Sequence, residues 1–389
     1  RDVNFLVCAH THKACEVLET KLSGAEILTL DSYLKRIPMI NKDAKKVQHV
    51  STNATVGAPH QVDFLIVDEF GTVGEDQHMR LAEMAYDDDG KAKMKILWLG
   101  DMNQLKSVGS ASSVIPYGDY EIKLTKVHRT SSSSLLDTLS KLVEMVEGRR
   151  KLEYLEPHET FVRDQDIVKL YRESKSKSKC LLAYTNWQVQ HLNAEVQGYE
   201  APKELDTVSC TQNRQQYTFL GEAKWPYVDS IFTGFKNIDR TDKYNTLSTL
   251  EELGYKVGLF FDGSEDREIY MAYVFGHGEY NELNKKLSDS ATRANNKIPD
   301  RNPTEWARAN KSDPRAKARA KAWKEFLAFK NAVVCMDFPH AFTVHKSQGS
   351  TYEEVYLDMQ DISKASDKDT LIRLTYVGVS RASKIVYTN

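Results

Sequence analysis

The sequence predicts an α/β fold of two parallel-sheet halves with a mixed β/α segment inserted in the second. Three observations lead there. Short apolar runs end at polar residues, as buried parallel strands do, at Val3–Ala9, Val62–Val67 and Lys95–Gly100. Helical spacing alternates with them at Ala14, Val17, Leu18 and Leu22, and again at Met79, Leu81, Met84 and Ala85. A second set of runs follows a Ser- and Gly-rich stretch at 107–120, and a long dissimilar segment interrupts it. The 389 residues exceed what one core usually serves, and an apolar share of 41% suffices to bury several.

The first half is expected over 1–112, with a possible small insertion at 36–60 that has no core pattern but contains Lys42, Lys45, Lys46 and His49. The second half is expected over 113–200 and 331–389. Its pieces are a helix at Leu135–Val146 and strands at Cys180–Tyr184, Ala341–Val344, Val355–Leu357 and Ile385–Tyr387. The inserted segment, 201–330, alternates like β-structure at Val257, Leu259, Phe261, Tyr270 and Tyr273. It ends in a helix that Asp313 caps and Pro314 starts, with Ala316, Ala320, Trp323 and Leu327 expected on the buried face. Arg315, Lys317, Arg319, Lys321 and Lys324 lie on its other faces, either as solvated surface or as a contact for a nucleic-acid backbone.

Charge is balanced, 53 Lys plus Arg against 55 Asp plus Glu, so an anionic partner must be held by a local site and not by a global field. Cys8, Cys15, Cys180, Cys210 and Cys335 form no C-x-x-C pair and no zinc-ligand spacing, which fits reduced structural thiols inside a cell. No run of eighteen apolar residues occurs, so membrane insertion is not expected.

The chemistry sits at strand ends. Asp68-Glu69 closes a buried strand, where α/β sheets place ligands; an Asp there can hold magnesium and a Glu can take a proton from water. The next strand ends in Gly100-Asp101-Met102-Asn103-Gln104-Leu105, where a glutamine can sense a terminal phosphate and orient water. Leu124-Thr125-Lys126-Val127-His128-Arg129 and Tyr376-Val377-Gly378-Val379-Ser380-Arg381-Ala382 each offer an arginine, a fixed and always charged donor fork for a transferring phosphoryl group. Asp87-Asp88-Asp89, the one dense carboxylate group that a nuclease could use, lies in a polar turn and reads as a solvated loop.

In this order the motifs resemble those of superfamily-one helicases, in the RecD/Dda-like branch. Ala9-His10-Thr11-His12-Lys13-Ala14 resembles motif Ia with His10 in place of proline, and Leu28–Leu34 resembles the following segment with Asp31 in place of histidine. Asp68-Glu69 resembles motif II, Gly100–Leu105 motif III, and Arg129 the end of motif IV. Thr343-Val344-His345-Lys346-Ser347-Gln348-Gly349-Ser350 resembles motif V, and Tyr376–Ala382 motif VI. Trp323-Lys324-Glu325-Phe326 resembles a segment just before motif V, whereas 201–310 matches loosely.

The resemblance implies two RecA-like P-loop NTPase domains, with ATP and Mg2+ in the cleft and single-stranded DNA crossing both. Glu69 would be the general base, Asp68 the magnesium partner, Gln104 the γ-phosphate sensor, Arg129 and Arg381 the arginine fingers, and Gly349 a further nucleotide-side residue. Thr11, Ser32, Thr185, Thr343 and Ser347 would offer short donors to DNA phosphates, with Asn186, His345 and Lys346 beside them. His12 either stacks on a base or is a structural histidine. The 36–60 insertion reads as a separation pin or an ordinary polar loop. Implied partners are single-stranded and forked duplex DNA, together with replication proteins such as a polymerase or a single-strand-binding protein. The implied setting is the cytoplasm, that of a bacterial host if the gene is a phage's. A competing reading is a helicase-like DNA-binding or assembly subunit without ATPase activity, because Gly90-Lys91 is the one Gly-Lys pair here and has the wrong neighbours for a phosphate-binding loop.

In this family the Val3–Ala9 run is the second strand of the first domain. A strand, a phosphate-binding loop and a helix of ordinary length would precede it, which predicts G-x-x-x-x-G-K-[ST] roughly 20–30 residues upstream of Arg1 in the encoded protein. Sequencing the gene checks this. A gene that begins at Arg1, or lacks the loop upstream, would replace the motor reading with the ATPase-deficient subunit.

Overall fold

The computed structural model describes residues 3–9, 12–40, 47–51, 62–87, 89–105, 120–124, 127–211, 214–225, 240–263, 267–300 and 302–389. They group into two compact units. One comprises Arg1–Ile37, His49–Val189 and His340–Asn389; the other comprises Pro38–Gln48 and Gln190–Pro339.

The first unit begins with β1 (Phe5–Ala9), α1 (His12–Lys21), β2 (Ile27–Thr29) and the single turn α2 (Leu30–Tyr33). Thr29 caps that turn: its hydroxyl oxygen accepts from Ser32 N at 3.1 Å. Strands β3 (Arg36–Ile40) and β4 (Val47–Ser51) form a two-stranded sheet of their own, within the segment read as a pin or a polar loop. Residues 41–46 and 52–60 of that segment lie outside the described residues, as does most of the 107–120 stretch. Next come β5 (Phe64–Val67), α3 (Glu75–Ala85) and β6 (Lys95–Trp98). The four main strands run parallel in the order β2-β1-β5-β6 over a core of Leu6, Cys8, Leu30, Leu65, Val67 and Leu81. The three strands announced by apolar runs are each shorter than the run: β1 starts at Phe5, β5 starts at Phe64 and β6 stops at Trp98. Asp68 and Leu99 still donate to carbonyls of the neighbouring strands but turn away from the ladder.

Next are α4 (Ser133–Val146), β7 (Phe161–Arg163), α5 (Ile167–Glu173), β8 (Lys179–Ala183) and α6 (Asn186–Gln197). Helix α4 starts two residues before its first periodic leucine, because Ser132 caps it by accepting from Leu135 N at 3.2 Å. Leu135, Leu139, Leu142 and Met145 form its buried stripe, and Gly148 follows in a left-handed conformation (φ 71°).

The second unit then holds β9 (Thr207–Cys210), β10 (Gln216–Ala223), α7 (Arg240–Glu252), β11 (Val257–Asp262), β12 (Arg267–Phe275), α8 (His277–Asn296), α9 (Pro303–Ala309), α10 (Pro314–Ala332) and β13 (Val334–Asp337). Its five strands close a barrel in the order β10-β11-β12-β13-β9, which leaves no open edge. Strand β13 lies beyond the 201–330 bounds read from the sequence, and it pairs parallel to β12, so helices α8–α10 serve as the crossover. Val208, Tyr217, Phe219, Phe260, Tyr273 and Met336 fill the interior, with Phe260 and Tyr273 edge-to-face at 5.6 Å.

Helix α10 begins as expected: the Asp313 side chain accepts from Arg315 N at 2.8 Å and Pro314 occupies the first turn. Its buried face differs from the expected one. Ala320 and Leu327 are exposed, while Ala316, Ala322, Phe326 and Phe329 are buried, a shift of one residue that helical spacing alone does not resolve. Arg319 therefore lies inward, donating to Asn295 Oδ1 at 2.8 Å and Thr304 Oγ1 at 2.9 Å, and Arg315 forks onto Asp313. Only part of the basic face read from the sequence, Lys317, Lys321 and Lys324, points outward without such anchoring.

The chain returns to the first unit with β14 (Ala341–Thr343), β15 (Tyr352–Leu357), α11 (Met359–Ile362), α12 (Lys368–Val379) and β16 (Ala382–Thr388). With β7 and β8 these form a parallel sheet in the order β14-β8-β15-β16-β7. Strand β8 reads as an apolar run, buried from Cys180 to Ala183, whereas β15 is buried only over Val355–Leu357. All five cysteines are buried, and among the described residues no helix is long and apolar enough to cross a membrane.

Helix α12 packs closely on β15. A Cβ on Gly378 would sit 2.6 Å from Leu357 Cδ1, and Leu357 is wholly buried. Gly378→Ala is expected to destabilise by about 1–3 kcal/mol through overpacking, measured by denaturant unfolding. Unchanged stability would mean that the Leu357 side chain can move aside freely.

Candidate active site

Both carboxylates stand at the carboxyl end of β5. Asp68 N donates to Cys8 O at 2.8 Å, which keeps the backbone on the sheet, and Glu69 N donates to Asp68 Oδ1 at 3.0 Å. Glu69 then turns into the left-handed region (φ 54°, ψ 47°), a conformation that costs a non-glycine residue about 1–3 kcal/mol and clusters at functional sites. Phe70 N donates to Leu99 O, and the Phe70 ring packs so closely on Gly100 that a Cβ there would lie 2.6 Å away. Glycine at position 100 thus lets the strand ends of β5 and β6 carry their loops side by side.

Burial raises both acids above the ordinary carboxylate range. For Asp68 the Glu69 backbone N–H opposes the rise, with a smaller contribution from Lys21. For Glu69 burial is reinforced by Asp68 and Asp101 and opposed by Arg381 and Arg129, so the two arginines from the second sheet lie within electrostatic reach of this carboxylate. Arg381 is 1% exposed. Its Nε donates to Val377 O at 3.1 Å and its Nη2 to Ser380 Oγ at 2.8 Å, so the end of its own helix holds the guanidinium. Burial, then Arg129, pull its pKa down to about 10, against Glu69, Tyr376 and Asp101; it stays cationic at neutral pH. Arg129 is half-buried and donates to Ser380 O at 2.7 Å and Thr351 Oγ1 at 3.0 Å.

The loop after β6 is tied to α12 by contacts that the sequence did not announce. Tyr376 OH donates to Asp101 Oδ2 at 2.6 Å. Arg373 Nη1 donates to Met102 O at 2.7 Å and Gln104 O at 3.0 Å, while its Nε donates to Asp369 Oδ1 at 2.9 Å. Gln348 Nε2 reaches Gln104 Oε1 at 3.4 Å. Gln104 is thus held by backbone and side chain together. The signal for Arg373 is the one arginine of α12, flanked by Leu371, Ile372 and Leu374, three residues before Tyr376 and on the same face. Gly349 takes a left-handed φ of 77° with open space where a side chain would be.

The residues expected to meet DNA phosphates fare differently from one another. Ser32 is exposed and its Oγ accepts from Thr29 Oγ1 at 2.7 Å, which leaves its own proton to donate. Thr185 and Ser347 do not match the expectation of free hydroxyl donors. Thr185 Oγ1 donates to the buried Asp361 at 3.0 Å, and Ser347, wholly buried, donates to Val344 O at 2.7 Å. Thr343 is buried and accepts from Lys346 N at 3.3 Å. Asn186 is exposed, and the His345 ring lies 6.2 Å from that of Tyr184, with burial holding His345 below the ordinary histidine range and so neutral. Thr11 and the side chain of His12 lie outside the described residues. Asp31, which stands where the resembled family has histidine, accepts from Gln77 Nε2 at 2.9 Å.

Parts of this chain match known protein families. Residues 1–165 match the family profile of an AAA domain, and residues 338–387 match that of the UvrD-like helicase C-terminal domain. The two matches support a superfamily-one helicase. Among solved structures, Bacteroides Pif1 bound to single-stranded DNA is 13% identical with a TM-score of 0.50, over 99% of this chain and 82% of that one. Bacteroides Pif1 with ADP-AlF3 and single-stranded DNA is 12% identical with a TM-score of 0.49, over 100% and 83%. The fold is the two-domain RecA-like fold of the Pif1 structures. An uncharacterized protein of Acanthamoeba polyphaga mimivirus is 43% identical over 49 residues, 13% of this chain, and the chain spans 10% of the length of that relative.

Glu69 supplies a pH test. Its folded pKa is raised, so its contribution to stability is fully present below the ordinary glutamate range and is lost as pH rises through the raised value. Glu69→Gln removes that buried charge and should raise the melting temperature at neutral pH, with the difference vanishing in acid. Thermal denaturation across pH checks this, and a variant no more stable at neutral pH would mean that the arginines outweigh burial.

Proposed function

We propose that this chain is the core of an ATP-driven helicase that translocates on single-stranded DNA and opens duplexes, in the 5′-to-3′ RecD/Dda-like branch. The observation that carries the reading is the meeting of Glu69, at the end of one parallel sheet, with Arg381 and Arg129 of the other, each within electrostatic reach. Carboxylate, sensor and arginines then surround one phosphoryl group from two sides, which is what in-line displacement of a nucleoside triphosphate requires. Glu69 accepts a proton from the water attacking the terminal phosphate. Gln104, fixed by Arg373 and Gln348, orients that water, and the two guanidinium groups neutralise charge as the bond to the leaving diphosphate breaks. Asp68 offers one anchored carboxylate, the kind of ligand suited to a magnesium ion whose remaining ligands are phosphate and water. Magnesium would screen the phosphates and polarise the scissile bond.

The coupling to DNA runs through the same contacts. The loop that carries Gln104 is gripped by α12, so a shift of the second sheet along a DNA strand moves the sensor. Ser32, Asn186, His345 and Lys346 are the rim residues this reading assigns to the strand, and the β3–β4 pair is a candidate for the separating pin. The 201–330 insertion, by this reading, holds DNA or a protein partner of the replication or repair machinery.

In the full encoded protein, Arg381→Ala should lower DNA-stimulated ATP turnover by roughly 10³-fold while single-strand affinity stays nearly constant. A loss below about tenfold removes Arg381 from the phosphoryl-transfer role. Tailed duplexes test direction: opening of substrates with 3′ tails and none with 5′ tails refutes the polarity.

A further inference from the structure

Strands β8 and β14 end together, Ala183 beside Thr343, and Val344 N donates back to Ala183 O at 2.8 Å. Just past those ends the Tyr184 and His345 rings stand 6.2 Å apart. One turn further, Trp187 leaves its indole 68% exposed in the first turn of α6. Tryptophan is seldom so open, since its large apolar surface favours burial. The buried positions of α6 are Leu192 and Asn193, and at about 100° per residue Trp187 lies nearly opposite their mean direction.

The base under this indole is rigid. Asp361, buried, accepts from the N–H groups of Tyr184 and Thr185 at 2.9 and 2.7 Å. Thr185 Oγ1 accepts from Gln188 N at 3.2 Å, and Gln188 Nε2 donates to buried Asp358 at 2.7 Å. Two buried carboxylates therefore fix the start of α6 on both sides of Trp187, so the ring is presented at little further entropic cost. The carboxyl rim of a parallel sheet is also where α/β folds bind ligands.

We propose that Trp187 is a stacking platform for a base of single-stranded nucleic acid lying across the β8–β14 rim. This rests on the DNA-translocase reading above and adds to it a contact with bases, where the polar rim residues contact the backbone. The indole face takes the base, and exposed Asn186 beside it donates to the neighbouring phosphate or sugar. Stacking tolerates any sequence, as a translocase must.

The test is anisotropy of two fluorescein-labelled probes with the full chain and no nucleotide: an oligothymidylate and an abasic strand of equal length and charge. Trp187→Ala should weaken oligothymidylate binding by roughly 5- to 150-fold and leave abasic binding unchanged, while Trp187→Phe retains most of the affinity. Thermal melts confirm that both variants fold. Equal losses on the two probes, or no loss on oligothymidylate, overturn the stacking role while the DNA reading stands. A wild-type chain that binds neither probe overturns the DNA reading and the stacking role with it.

Discussion

The site depends on holding a partly buried carboxylate and a buried guanidinium within reach of each other, from two different sheets. Burial alone pushes Glu69 toward its neutral acid and works against the charge of Arg381. Each opposes the shift of the other, so the ionised pair is maintained only while the sheets keep their spacing. That spacing is set by short, charge-assisted contacts: Tyr376 to Asp101, and Arg373 to the carbonyls of Met102 and Gln104.

The same economy of polar groups governs the rim. Hydroxyls near a presumed phosphate path serve two competing needs, that of the ligand and that of the loop that carries them. At Thr185 and Ser347 the loop prevails, because Asp361 and Val344 O would otherwise be buried acceptors with one partner fewer. At Ser32 the neighbouring Thr29 donates inward and leaves the serine proton outward. Residue type announces a donor, but the hydrogen-bond partner decides which way it points.

The second unit solves a different problem. Its strands close on themselves, with β13 supplied from beyond the helices, so the barrel needs no further sheet to cover an edge. The helices that make the crossover bury Trp323 and Phe326 against Ala291 and carry the basic face. Arginines in that face serve the helix packing, Arg319 through Asn295 and Arg315 through Asp313, whereas the lysines remain outside. Arginine's planar fork suits fixed partners, and lysine's flexible stem suits water or a diffuse anion.

Much of the fold was legible in the residues. Apolar runs ending at polar residues located the parallel strands, Asp313-Pro314 located a helix start, and the order of strand-end motifs singled out Asp68, Glu69, Gln104, Arg129 and Arg381 as candidates. These features are local: a pattern of period 2 or 3.6, a cap, a residue at a strand tip. What only the tertiary structure decided was pairing at a distance. It closed the barrel with β13, turned the face of α10 by one residue, gave Arg373 its carbonyls and took the Thr185 proton for Asp361. A side chain's partner across 176 or 269 residues is chosen by packing and by the need to satisfy every buried polar group, and neither quantity is written in any local run of sequence.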